Sequence, residues 1–378
     1  MKKLLALILA LCMVLALAAC GSSSNPPASN PAPAGDSEKT PAEEPGSEPA
    51  DETPTEKAPE DYTGEVVLYT SMTDSDLDAL ITCFNEVYPN IYVDVQNGSA
   101  GELTTRMRGE ASNPQGDVTW GGMADSDGRT YEDIYEDYVT IHDSENVPAY
   151  KSPNGLYSMD HLSTPVFCVN TELEAELGLD IRSYQDLLDP KLTGKVVSAS
   201  PADSSAAWNN VCNIMAVFGN DSDEAWDYIG KLMPQLTIVQ SSSTCFRGVY
   251  DGEYVVGLTY EDGAITLVRD GATNIEVRYP SEGASAAVYG MALVKGGPNP
   301  ENAKALINFV TSAEGQTAMA AYQHGSLRYT NANYIEPEDA WLTPASEINW
   351  VERDTPYLTE HKAEILEHWA ELYAEVVG

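Results

Sequence analysis

"GEVVLYTSMTDSDLDALITCFNEVYPNIYVDVQN", residues 64–97, is the stretch that decides the fold. It opens on Val66, Val67, Leu68 and Tyr69, a short continuous apolar run that reads as a buried strand. Leu77, Leu80, Ile81 and Phe84 then recur at three- and four-residue steps, which predicts an amphipathic helix stopped by Pro89. "IYVDVQN" predicts a second strand. A strand, a helix and a strand in so short a space argue for parallel pairing, with the helix crossing over one face of the sheet.

The alternation continues on the C-terminal side. "GSAGELTTRMRGEA" predicts a helix whose Ser99 and Glu102 form a capping box, and "DVTWGG" a short strand. "STPVFCVNTELEAELGL" is a strand running into a helix, and "SYQDLLDPKLTGKVVSAS" leads to another strand. Ser204 opens a further helix, and "YVVGLTYEDGAITLVRDG" is again strand then helix. "IEVRYPSEG" and "AAVYGMALVKG" are strands, and "PENAKALINFVTSAEGQTAMAAY" is mostly helix. The last segment sets Ile365, Trp369, Leu372 and Val376 on one helical face. The sequence contains no internal repeat.

Towards the N-terminus the chemistry changes. Lys2 and Lys3, the apolar run "LLALILALCMVLALA" and the ending "LAAC" (residues 17–20) have the form of a secretory leader. The small residues before Cys20 match the bacterial lipobox, which implies lipidation of Cys20 and a leader over residues 1–20. Residues 21–61 hold nine of the chain's 23 prolines, no aromatic residue and no aliphatic larger than alanine. Such a tract cannot bury enough surface to offset ordering and is expected to be a disordered tether. About 315 residues follow, more than one core comfortably serves and suited to two lobes.

The formal net charge is −39 and becomes −41 once Lys2 and Lys3 leave with the leader. That argues against nucleic acid, which needs a basic face. Beyond Cys12 and Cys20, the cysteines Cys83, Cys168, Cys212 and Cys245 lack any C-x-x-C spacing, so a zinc or redox site is not expected. They read as buried thiols, with one or two disulfides as the alternative. No nucleophile elbow, P-loop, H-E-x-x-H or dinucleotide fingerprint is present, and the five histidines are scattered. No catalytic residue, metal ligand or cofactor is expected.

The ordered set "GEVVLYTS", "RMRGEASNPQGDVTWGG", "SYQDLLDPKLTGKVV", "DGEYVVGLTYEDGA", "YPSEGAS" and "GPNPENAKALINFVTSAEGQ" resembles the bacterial extracellular solute-binding lipoproteins of ABC importers. The branch is the one that includes ferric-ion, organophosphate-sugar and phosphonate binders. The resemblance implies an α/β, two-lobe, type II periplasmic-binding-protein-like fold with a ligand cleft and two crossing strands. The crossings fall near 164–170 and 279–288. Lobe one is then 62–164 plus 289–378, and lobe two 165–288. The resemblance also implies a monomer that delivers a small solute to permease subunits from the extracytoplasmic face, held to the membrane by lipid alone.

In open α/β sheets, ligands sit beyond the carboxyl ends of the strands. The loops there supply Ser71, Ser99, Trp120, then Ser204, Ser205 and Ala206, and finally Tyr260 and Glu261 with Asp262 beside them; "QSSSTCF" is a further hydroxyl cluster. Ser99 also suits a plain helix cap, and Trp120 a wall of the core. Two carboxylates beside Tyr260 suit an amine, a sugar hydroxyl or a metal, or are turn acids. Glu282 either reaches the ligand or orders the hinge. The related ferric binders imply paired tyrosines at "LTYEDG" and a histidine after the first strand, where this chain has Tyr260–Glu261 and "SMTDSD". Small hydroxyls at helix N-termini suit an anionic group instead, with an organophosphate or phosphonate favoured. The alternatives are a ferric-ion or polyamine receptor and, from another class, a secreted serine hydrolase.

Overall fold

The computed structural model describes residues Lys57–Gly378. The leader, Cys20 and nearly all of the tether lie outside the described residues. Order begins slightly before Tyr62: Pro59–Asp61 form a 3-10 turn, and the Asn90 side chain donates to the Glu60 carbonyl.

The first lobe starts with β1 (Gly64–Thr70), α1 (Asp74–Val87), β2 (Ile91–Asn97), α2 (Ala100–Glu110) and β3 (Val118–Ala124). β1 pairs parallel with both β2 and β3. The apolar stripe of α1 buries Leu77, Leu80 and Phe84 on this sheet. Thr73 and Asp76 cap the helix reciprocally, as Ser99 and Glu102 cap α2. After a short β4 (Tyr135–Glu136) the chain enters β5 (Ser158–Ser163), both antiparallel neighbours of a later strand.

The chain then changes sheets across a single residue, Thr164. β6 (Pro165–Asn170) begins the second lobe, followed by α3 (Thr171–Leu177), β7 (Val196–Ala199), α4 (Ser205–Phe218) and α5 (Asp223–Leu232). β8 (Leu236–Val239), α6 (Thr244–Tyr250), β9 (Val256–Tyr260), α7 (Glu261–Arg269) and β10 (Ile275–Arg278) complete it. This five-stranded sheet runs β10-β6-β9-β7-β8. Gly257 on β9 leaves room for the backbone of α6, because a Cβ there would overlap the Cys245 carbonyl oxygen.

Residues 279–286 carry the chain back to β11 (Ala287–Val294), which lies between β3 and β5 and is antiparallel to both. α8 (Pro300–Thr311), α9 (Ala313–Tyr322) and β12 (Arg328–Tyr329) finish the first lobe, whose sheet runs β12-β5-β11-β3-β1-β2 with β4 beside β11. The carboxyl ends of β1 and β3 and those of β7 and β9 each run into the loop or helix that faces the other lobe.

Residues 289–378 do not all remain with the first lobe, contrary to the sequence expectation. α10 (Thr355–Val376) buries Leu358 and Ile365 in the second lobe's core, with Leu366, Trp369, Leu372 and Tyr373 packed against it. The first sheet is already covered by α1, α8 and α9, so the open apolar surface for this helix lies on the other lobe. Val376, expected on the buried face, is exposed at the helix end. The four cysteines are unpaired and buried. Burial pushes the Cys168, Cys212 and Cys245 thiols up to about 12, so they are inert apolar filling rather than reactive groups.

Candidate functional site

The two lobes meet along a polar seam. At its centre is the N-terminus of α4. Ser204 is the cap, its Oγ accepting from the Ala207 N–H at 3.2 Å. The next two amides, of Ser205 and Ala206, are the orphan donors of the first turn and have no acceptor among the described residues. Ser205 is not a second cap: Ser204 alone fills that role, and the Ser205 side chain lies near the hydroxyl of Tyr289, on β11 of the opposite lobe. The neighbouring Trp208 Nε1 donates to Ser126 Oγ of that lobe at 3.4 Å. Ser204→Ala is expected to cost about 1 kcal/mol of stability through the lost cap, read as a shift in the urea midpoint.

Further along the seam stands a group that no sequence motif announced. The His161 ring, on β5, stacks on Tyr289 with centroids 5.6 Å apart and meets Trp120 edge-on. Its Nδ1 lies 2.9 Å from Asp160 Oδ2, which also accepts from Trp120 Nε1 at 2.8 Å. Burial works against a charged His161, but the Asp160 carboxylate outweighs it and holds the ring's pKa above the ordinary value. Asp76, at the first turn of α1, faces the same region and accepts from Gln323 Nε2 at 2.5 Å.

From the second lobe, Tyr260 ends β9, its ring edge-on to Phe246 and its hydroxyl towards Ser242. Gly263 is required for that pose, since a Cβ would come within 2.6 Å of the tyrosine ring. Glu261 is engaged elsewhere. It forms a buried bidentate ion pair with Arg328 of β12, at 2.8 and 2.7 Å, and accepts from the Tyr279 hydroxyl. It therefore bolts the lobes together and is not free to meet a ligand.

The structure redistributes the sequence-predicted residues. Ser204, Ser205, Ala206 and Tyr260 lie on the seam. Ser71 is half-buried behind it, its Oγ against the Gly121–Gly122 bulge of β3. Both glycines have φ of +78°, and a Cβ on either would strike Met72 or Ala100 at 2.7 Å, so the bulge brings the ends of β1, β3 and α2 together. Ser99 is exposed and occupied as a cap, accepting from the Glu102 N–H. Trp120 is 0% exposed and walls the core behind His161. Glu282 orders the hinge, accepting from the Tyr184 and Gln185 amides at 3.1 and 3.4 Å. Asp76, Asp160, His161, Tyr289 and Arg328 were missed. The only available sign was the adjacent "DH" pair inside a strand just before the crossing. Three buried polar atoms beside that crossing, Thr164 Oγ1, Asn209 Oδ1 and Thr259 Oγ1, have no hydrogen-bond partner among the described residues.

Two α/β lobes joined by crossing strands, with a polar seam between them fed by helix N-termini, have the architecture of a two-lobe binding protein. The chain belongs to the bacterial extracellular solute-binding protein family, whose profile matches residues 79–345. A Haemophilus influenzae relative is 28% identical over 318 residues, covering 82% of this chain and 90% of its own. A Salmonella typhimurium periplasmic protein, provisionally named for 2-aminoethylphosphonate binding, is 28% identical over 243 residues, 62% of this chain and 69% of its own. In fold, the chain is similar to the periplasmic binding protein AfuA of Actinobacillus pleuropneumoniae, solved with fructose-6-phosphate bound. The TM-score is 0.74 at 24% identity, over 83% of this chain and 99% of that one. The protein is thus a solute-binding component of an ABC importer, and no helix among the described residues is long and apolar enough to cross a membrane.

Proposed function

We propose that this receptor, lipid-anchored through Cys20, captures a small organic phosphate or phosphonate and presents it to its permease. The observation that carries this reading is the N-terminus of α4: two unpaired amides and the Ser205 hydroxyl, facing Tyr289 across the seam. Amide donors at a helix end, with the positive end of the helix dipole, hold an anion without a lysine. Donors from both lobes make the closed form the one the ligand stabilises. The names carried by relatives support the same ligand class.

The remaining readings fit less well. A ferric ion needs several hard anionic donors in a closed shell, and Glu261 is consumed by Arg328. Among the described residues no group of three or more His, Cys, Asp or Glu side chains is arranged to hold a metal ion. The Asp160–His161 pair has the outline of part of a hydrolytic triad, but none of its hydrogen bonds among the described residues runs to a serine hydroxyl.

Thermal-shift measurements on the mature chain, with Cys20→Ser to keep it in solution, test the proposal. The panel is sugar phosphates, phosphonates, dicarboxylates, polyamines and ferric citrate. A phosphate or phosphonate at 100 times its Kd is expected to add about 2.7 kcal/mol. Stabilisation by polyamines or ferric citrate, with no response to any phosphate or phosphonate, overturns it.

A further inference from the structure

We infer that Lys362 is a positioning residue for solute capture: from α10, on the second lobe, it latches onto Asp127 in the turn after β3 of the first lobe, and so fixes the N-terminus of α4 against Tyr289. This rests on the reading of that N-terminus as the anion end.

α10 is rooted in one lobe and reaches the other. Leu358 and Ile365 lie in the second lobe's core. The first turns of the helix nevertheless run against residues 125–128 of the first lobe. Gly128, at φ +57°, permits the approach, because a Cβ there would lie 2.7 Å from Thr359 Cγ2. Three residues on, Lys362 Nζ lies 2.5 Å from Asp127 Oδ1. The other oxygen of Asp127 accepts from the Ala124 N–H at 2.8 Å, which folds the turn back at the end of β3. Ala124 is paired with Tyr289 of β11. Asp127 therefore ties α10 to the strand position that carries Tyr289. On its other side Lys362 stands over the Trp208 ring, 5.2 Å from the centroid. Trp208, three residues after Ser205 in α4, donates from Nε1 to Ser126 Oγ. One ammonium thus touches both the first lobe's turn and the helix whose free amides face the seam.

Water is largely kept from the pair: the Asp127 side chain is 5% exposed and that of Lys362 28%. Burial works against a charged lysine, but Asp127 outweighs it and holds the ammonium above its ordinary pKa. Among the described residues two ion pairs join the lobes, Glu261–Arg328 at the start of α7 and Lys362–Asp127 beside the first turn of α4. Neither needs solute to form, and both require the lobes to be together. Each therefore adds to the population of the closed form, and the apparent affinity for solute rises with that population. Without the ammonium, Asp127 keeps its bond to Ala124 but has lost its charge partner in a dry contact. The turn is then free to draw in water and part from α4.

Two measurements on the Cys20→Ser mature chain decide the matter, with Lys362→Met, Asp127→Asn and Lys362→Arg set beside the parent. The first is small-angle scattering without solute. The expected result is a larger radius of gyration in Lys362→Met and in Asp127→Asn than in the parent, with Lys362→Arg returning to the parent value because the charge is restored. The second is calorimetric titration with fructose-6-phosphate, inorganic phosphate and ethylphosphonate. Any of these that the parent binds should bind about tenfold more weakly to the Met and Asn variants and within about threefold of the parent to the Arg variant. A radius of gyration that is the same in all four proteins overturns the latch. So does a lowered melting temperature in the Met and Asn variants with scattering and affinity unchanged, which marks the pair as part of the packing alone. Failure of Lys362→Arg to restore either quantity, in a chain that melts like the parent, overturns it as well. A parent that binds none of the three probes instead overturns the α4 reading, and the scattering still decides the latch.

Discussion

Arg328→Met is expected to lower the unfolding free energy by about 3–5 kcal/mol, the largest loss of any single polar substitution in the seam. Arg328 and Glu261 are nearly fully buried, with side chains 7% and 3% exposed. Removing the guanidinium leaves a carboxylate with only the Tyr279 hydroxyl for company, and water cannot reach in to replace the lost charge. Burial alone would lower the Arg328 pKa, yet its hydrogen bonds to Glu261 hold it above the ordinary value, which marks the pair as mutually dependent. The double variant Glu261→Gln, Arg328→Met should recover most of the loss, since no orphan charge then remains. Urea unfolding of the four proteins in this cycle is the measurement. A single-variant cost below about 1 kcal/mol would show that the pair is solvated rather than buried. Because the pair joins β12 of one lobe to α7 of the other, the single variant should also weaken ligand capture, through a less stable closed form.

Raising the pH from 5 to 8.5 is expected to destabilise the unliganded protein. The Asp262 carboxyl is pushed up to about 8 by burial and by Asp76, against an ordinary value near 4. Asp76 is raised, chiefly by burial, and His161 is raised despite burial by Asp160. All three have the same sign. In the window between about 4 and 8 the folded chain holds protons that the unfolded chain has released, so stability is greatest at the acid end and is lost as the pH climbs. Each tenfold gain in proton affinity on folding is worth about 1.4 kcal/mol, so a loss of several kcal/mol across the window is the expected scale. Carboxylates with lowered values, such as Glu145 beside Asn331 and His142, have the opposite sign and lose their contribution only as the pH falls through the acid end. Asp262→Asn should flatten most of the slope and leave the unliganded protein more stable than the parent at pH 8.5. A melting temperature of the parent chain that is level or rising between pH 5 and 8.5 would count against the buried cluster.

These two expectations mark how far the sequence reaches. The periodicity of residues 64–97, the Ser99–Glu102 and Ser204 caps, and the strand-to-helix steps at Asn170 and Tyr260 all reappear in the structure. Each depends on neighbours within a few residues, so local spacing suffices to read it. The loops at the carboxyl ends of strands were legible for the same reason, and Ser204, Ser205, Ala206 and Tyr260 came from them. Glu261 was legible as an acid at a helix start but not as half of an ion pair, because Arg328 is 67 residues away. Trp120 was legible as aromatic but not as the indole that donates to Asp160.

By itself the sequence determined the alternation of strand and helix, the two-lobe family and a set of hydroxyls at helix ends. Tertiary structure alone decided which acids face each other. Asp76 comes from the start of the first lobe, Asp262 from near the end of the second, and Gln323 and Arg328 from the returning segment that contacts both. The apolar face of α10 could be read from spacing, but the lobe that receives it could not. The physical reason is the same in both cases. Short-range patterns fix local backbone geometry, whereas the partner of a buried charge or an apolar stripe is chosen by whichever surface remains uncovered once the chain has crossed between lobes.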